Sequence, residues 1–275
     1  MHWLLDPYAS AFMQRALLAS LLVGIVVPVV GTWIVLQRLA YMGDAMAHAS
    51  LGGVATAYVA GASITLGAVG AGIVMAGLMA LLAANPRLKG DSIIGIVEVT
   101  LFAAGVLIIS RSQAVAVDLS HYLFGSITTV TAHDLTINAI LGCVVLAASV
   151  ALWSDLRAMS FDRAGARLAG IRVGLLQTGL LGLLAITVVL ALQTVGVLMN
   201  IALLIVPAAT ARLWARTTSQ IALLGAAFGV FASVAGLTIS YHASAPPGAA
   251  IALSCVVLLV ISFVLTLPRR ARSSR

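Results

Sequence analysis

Long apolar runs alternate with short polar connections along almost the whole chain. The runs lie at roughly 16–36, 45–61, 64–84, 92–110, 133–153, 173–191, 195–213, 219–239 and 249–267. A helix of about 20 apolar residues crosses the hydrocarbon core of a bilayer. The runs are continuous rather than alternating with period two, so they predict helices and not the strands of a barrel. The pattern predicts an all-α, polytopic helical membrane protein of about eight to nine spans. It reads as a single transmembrane domain over residues 1–275, membrane-embedded over about 11–267, with a basic cytoplasmic tail at 268–275. Gln193–Gly196 decides the count. A true connection there gives nine spans and an outside N-terminus, whereas a kink or re-entrant turn changes the number and moves that terminus. The first run is too long for a secretory h-region and is read as a retained span, with Pro28 expected to kink it.

Composition and charge sharpen this picture. The chain is 62% hydrophobic and 8% charged, a balance foreign to soluble domains. The net charge of +7 would suggest nucleic acid, but its placement argues for a bilayer instead. Of the 15 Lys and Arg residues, only Arg15 and Arg111 fall outside the connections on one side of the membrane. That is the positive-inside bias, and it puts the C-terminus in the cytoplasm. Cys143 and Cys255 sit singly in apolar runs and read as buried small residues, with no disulfide framework.

Four connections are informative. Asn85–Asp91 is short and basic, breaks helix at Pro86, and offers Asp91 or Ser92 as a cap for the next helix. Residues 154–172 form the longest cytoplasmic connection. There Phe161, Ala164, Leu168 and Ile171 recur at helical spacing between arginines, so this segment predicts an amphipathic helix for the membrane surface or a soluble partner. Tyr241–Gly248 is an outer turn with Pro246-Pro247-Gly248, and 111–131 is too polar to span, reading as a partial helix at the outer interface.

The candidate chemistry lies in Gly43-Asp44-Ala45-Met46-Ala47-His48-Ala49-Ser50. Positions i and i+4 share a helix face, so Asp44 and His48 can converge on one cation. Ionisable groups inside a membrane span cost about 2.5–3.5 kcal/mol each on the insertion scale, and therefore point to function. A carboxylate with an imidazole suits zinc, manganese or iron, whereas calcium and magnesium prefer all-oxygen sites. Two alternatives stand beside this: Asp44 as the N-cap of an Ala-rich helix, and His48 as a hydrogen-bonded packing residue. Glu98 sits mid-helix, where it is protonated, paired, or lining a cation path. Asn200 is a second path candidate, or a hydrogen-bonded bridge between helices. His121, His133 and His242 lie toward the outside, available to assist metal admission or simply solvated.

The stretch from Gln37 to Leu51, QRLAYMGDAMAHASL, resembles the signature of the metal-ion permeases of bacterial ABC importers. Leu123–Ile127, Ser160–Ile171, Val195–Leu213 and Pro247–Ala249 resemble further motifs of that family in the right order, over about residues 11–265. Glu98 and Asn200 depart from the family pattern at positions expected to be apolar or small, and Gly52 and Arg172 stand where prolines are common. The resemblance implies a homodimeric or pseudo-dimeric permease in the bacterial cytoplasmic (inner) membrane. It implies cytoplasmic ABC ATPase subunits and an extracytoplasmic metal-binding protein as partners. It also implies Asp44 and His48 as metal-contacting residues of a path for zinc or manganese, with iron a third candidate. The cargo is transported rather than held as a resident cofactor. The chain's one lysine, Lys89, is followed by Gly90 and cannot belong to a P-loop, so ATP hydrolysis must come from a separate chain. Phe161, Asp162, Arg163, Ala166, Arg167 and Gly170 are the expected ATPase-coupling residues. The rival readings are an ABC permease for an iron chelate or other small cargo, a gradient-driven secondary metal transporter, and a non-transporting scaffold.

Overall fold

The computed structural model describes residues 8, 10–83, 85, 87–88, 90–111, 127, 130–194 and 196–273. Most of the expected outer partial helix (112–126, 128–129) and His121 lie outside these residues, as do Pro86 and Lys89. The described helices are α1 (Ala11–Leu36), α2 (Ala40–Val59), α3 (Ile64–Leu82), α4 (Gly90–Ser110), α5 (Ala132–Ala151), α6 (Trp153–Phe161), α7 (Arg163–Leu168), α8 (Val173–Thr194), α9 (Val197–Trp214), α10 (Thr218–Ala243) and α11 (Pro247–Ser273).

Nine of these helices correspond to the nine apolar runs. Seven are long and apolar enough to cross a membrane, while α2 falls short and α9 qualifies only as a shorter apolar helix from Asn200 to Trp214. The shortfall of α2 has a physical reason: it carries Asp44, His48 and several small residues, and it is packed inside the bundle rather than against lipid. Helix α8 ends at Thr194 and α9 begins at Val197, with Gly196 at φ 88°, a left-handed conformation that favours glycine. Pro28 lies within a continuous α1.

The core runs along α1, which packs on α10, α9, α5 and α8. Val23, Val27, Val30 and Ile34 of α1 are fully enclosed, together with Leu184 and Leu190 of α8 and Leu204 of α9. Helices α2, α3 and α4 form a neighbouring group held by close backbone contacts. A methyl placed at Gly52 would lie 2.6 Å from the Leu101 carbonyl oxygen, and one at Gly105 would lie 2.8 Å from Gly52 Cα. Gly53 and Gly67 meet in the same way across α2 and α3. Small residues let membrane helices approach this closely. Gly52 therefore has a role here that a proline could not take, because it admits α4.

Three local expectations need correction. First, α4 begins at Gly90, so Asp91 lies within its first turn rather than capping it; its carboxylate still faces the positive end of the helix. Second, Cys143 is exposed, because it lies on the outward face of the peripheral helix α5, while Cys255 is buried as expected. Third, residues 154–172 do not make one amphipathic helix. Asp162 adopts an extended conformation, and its Oδ1 accepts from the Ala164 and Gly165 amides at 2.9 and 3.0 Å. That cap ends α6 and starts α7.

The α6–α7 pair is anchored at the arginine-rich end of the bundle. Leu156, Met159 and Ala166 bury against Trp33, Val173, Leu176 and Leu180, and Trp33 meets Trp153 edge to face at 4.7 Å. Phe161 and Leu168 stay outside this buried set and are exposed, as a face for the membrane surface or a partner would be. Gly170, at φ 85°, closes α7 in a Schellman turn, with the Gly170 amide on Arg167 O and the Ile171 amide on Ala166 O.

Candidate metal centre

Helix α2 starts at Ala40, after a three-residue turn in which Arg38 takes a left-handed φ of 59°. Asp44 therefore lies in the second turn and is not a helix cap. Four positions apart on one helix, Asp44 and His48 face the same way: His48 Nδ1 lies 3.3 Å from Asp44 Oδ1. The same nitrogen lies 3.1 Å from the Asp44 carbonyl oxygen, so the packing hydrogen bond expected of His48 is also present. On the opposite side of α2, Gly43 rests against the Leu204 side chain of α9, which turns the ionisable face toward α4.

The third member comes from α4. Glu98 Oε1 lies 3.7 Å from His48 Nδ1, and one ligand atom each from Asp44, His48 and Glu98 lie within 4.8 Å of one another. Among the described residues this is the one group of three or more His, Cys, Asp or Glu side chains so close together. Its members are partly enclosed, with side-chain exposures of 27% for Asp44, 33% for His48 and 13% for Glu98. Phe102, one turn beyond Glu98, packs edge-on to the His48 ring at 6.0 Å. The Tyr41 hydroxyl donates to Glu98 Oε2 at 2.6 Å. Two carboxylates and an imidazole offer mixed oxygen and nitrogen ligands, with two negative charges to match one divalent ion.

The path candidates thus separate. Glu98, half a helix-bundle away in sequence, joins the Asp44–His48 pair. Asn200 is fully buried on α9, and neither its Oδ1 nor its Nδ2 has a hydrogen-bond partner, so the bridge expected of it is not made. His133 lies in the first turn of α5 and His242 in the last turn of α10, outside the cluster. Tyr41 was missed by the sequence reading. Its signal was present, because positions 41, 44 and 48 follow the i, i+3, i+7 rhythm of one helix face.

Of the coupling candidates, Ala166 is buried, and Phe161, Asp162, Arg163, Arg167 and Gly170 are exposed. Arg163 reaches back into the bundle. Its Nη2 donates to Gln37 Oε1 at 3.2 Å and to Gln177 Oε1 at 2.8 Å. It thereby links α7 to the turn that starts α2 and to α8.

The profile of the ABC 3 transport family matches residues 9–266. The chain is 38% identical over 253 residues to the manganese transport system membrane protein MntC of Halalkalibacterium halodurans, covering 92% of this chain and 87% of the relative. It is 35% identical to a Haemophilus influenzae protein named "Probable iron transport system membrane protein", covering 95% and 94% of the two chains. Among solved structures, PsaBC from Streptococcus pneumoniae in complex with Fab superposes with a TM-score of 0.86 at 34% identity, covering 94% of each chain. With the bundle, the polar α2 and the sequence match in agreement, the chain is a multi-pass membrane protein that belongs to the ABC 3 transport family.

Proposed function

We propose that this chain is the permease subunit of an ATP-driven importer that moves a divalent transition metal across the bacterial cytoplasmic membrane, with Asp44, His48 and Glu98 as its ligands. The convergence of the three ligand atoms within 4.8 Å carries the reading. The mixed ligand set favours manganese, iron or zinc over calcium or magnesium. The manganese-named relatives make manganese the first cargo to test, and the iron-named relative puts iron beside it.

The ion sheds water at the outer face and is held part-way by the three side chains. Partial exposure of the cluster suits a site that must also release its ion. A second copy of the chain, meeting the first along the exposed side of α2 and α4, would complete the ligand shell in a homodimer. Cytoplasmic ATPase subunits dock on α6–α7, where Phe161 and Leu168 present apolar surface at 72% and 91% exposure. Closure of those subunits moves α7, and Arg163 passes the displacement to Gln37 and the head of α2. An extracytoplasmic binding protein delivers the metal.

The test is uptake of radiolabelled manganese, iron and zinc in cells expressing the chain with its ATPase and binding protein. Replacing both Asp44 and His48 by Ala should lower uptake by more than the roughly 10–100-fold that loss of an outer-shell partner costs a metal site. Unchanged uptake at normal expression would sink the site.

A further inference from the structure

We infer that Tyr41 is a specificity-determining residue of this site, setting how many oxygens Glu98 can offer a cation. The inference rests on the proposed metal site. The Tyr41 hydroxyl donates to Glu98 Oε2 at 2.6 Å, while Oε1 of the same carboxylate faces His48 Nδ1 at 3.7 Å. The two oxygens therefore have separate partners: one is tied to the phenol, and the other points into the cluster. A hydrogen bond of this length to a charged carboxylate belongs to the stronger class. It also fixes the plane of the carboxylate, because Tyr41 is held on α2 and Glu98 on α4, 57 residues away in sequence.

A carboxylate held in this way acts through a single oxygen. Released from the phenol, Glu98 is free to turn both oxygens onto the ion. Bidentate carboxylates are a mark of calcium sites, where six to eight oxygens gather at relatively long distances. Transition metals that favour imidazole gain less from an added oxygen. The Tyr41 hydroxyl thus lowers the oxygen count available to a large, hard cation while leaving the His48 and Asp44 contacts intact. Tyr41 never touches the ion. It acts through Glu98, as a positioning residue.

The test uses the full-length chain purified in detergent and manganese alone, with free Mn²⁺ read by its electron paramagnetic resonance signal and calcium added as competitor. Wild type should bind manganese, and Asp44→Ala should abolish that binding. Tyr41→Phe should still bind manganese, but calcium should displace it at about tenfold lower concentration, the scale expected for losing one hydrogen bond to a charged group. In a Glu98→Gln background, Tyr41→Phe should move the calcium-to-manganese ratio no further, because the two changes act through one carboxylate. A wild-type ratio in Tyr41→Phe overturns the inference while leaving the metal site standing. A shift that persists in the Glu98→Gln background also overturns it. Manganese binding that survives Asp44→Ala removes the site itself, and the inference goes with it.

Discussion

Asn200 and Glu98 are both polar residues at positions where a membrane helix is usually apolar, yet their surroundings separate them. Glu98 has Tyr41 and His48 within reach, whereas both side-chain polar atoms of Asn200 are buried without a partner. An unsatisfied buried amide costs about 1–3 kcal/mol. Asn200→Leu is therefore expected to hold or raise the thermal unfolding temperature of the purified chain and to leave manganese binding unchanged. A loss of metal binding in a well-folded Asn200→Leu protein would return Asn200 to the ion path. Glu98→Ala should do the reverse, weakening manganese binding and modestly lowering the unfolding temperature, because the Tyr41 hydrogen bond between α2 and α4 is lost. At this scale the sequence was legible only in part. The pairing of Asp44 with His48 follows from helical period alone. What Asn200 and Glu98 each face depends on neighbours from other helices.

Between elements, the cluster depends on how closely α4 approaches α2. Gly52 and Gly105 set that distance with backbone touching backbone. Gly52→Ala would press a methyl against the Leu101 carbonyl, and crowding of this kind costs about 1–3 kcal/mol. The expected result is a folded protein whose manganese affinity has fallen, since Glu98 is carried away from Asp44 and His48. Normal affinity in Gly52→Ala would mean that the cluster tolerates displacement of α4. The Arg163 contact with Gln37 and Gln177 belongs to the same scale. Arg163→Ala should leave manganese binding by the isolated chain intact, yet reduce metal transported per ATP hydrolysed in the assembled importer. An unchanged ratio would remove Arg163 from the coupling route. The amphipathic reading of residues 154–172 marked the exposed apolar residues but not the break within the segment. The Asp162 cap breaks the helix and turns Phe161 and Leu168 outward, and a capping aspartate in that sequence was open to view.

Across the whole molecule, apolar side chains cover the outside of the bundle: Leu66, Val99, Leu107, Val150 and Leu223 are all at least 64% exposed. On a bilayer protein these face lipid or a second copy. Phe161 and Leu168 differ, because they sit beside Arg163, Arg167 and Arg172, a basic setting suited to the membrane–water boundary. Leu168→Asp should release the ATPase on co-purification without altering manganese binding by the permease chain alone. Full retention of the ATPase would place the docking surface elsewhere.

The helical class, the nine apolar runs and the shared face of Asp44 and His48 were all determined locally. Span length is a property of consecutive residues, and the i, i+4 relation is a property of one helix. The family signature runs through the same short stretch. Tertiary structure alone decided that Glu98 completes the cluster, that Tyr41 bonds to it, and that Asn200 is buried without a hydrogen-bond partner. Those outcomes depend on which helices touch and at what rotation. Backbone contacts at glycines set that arrangement, and a glycine has no side chain to announce its partner.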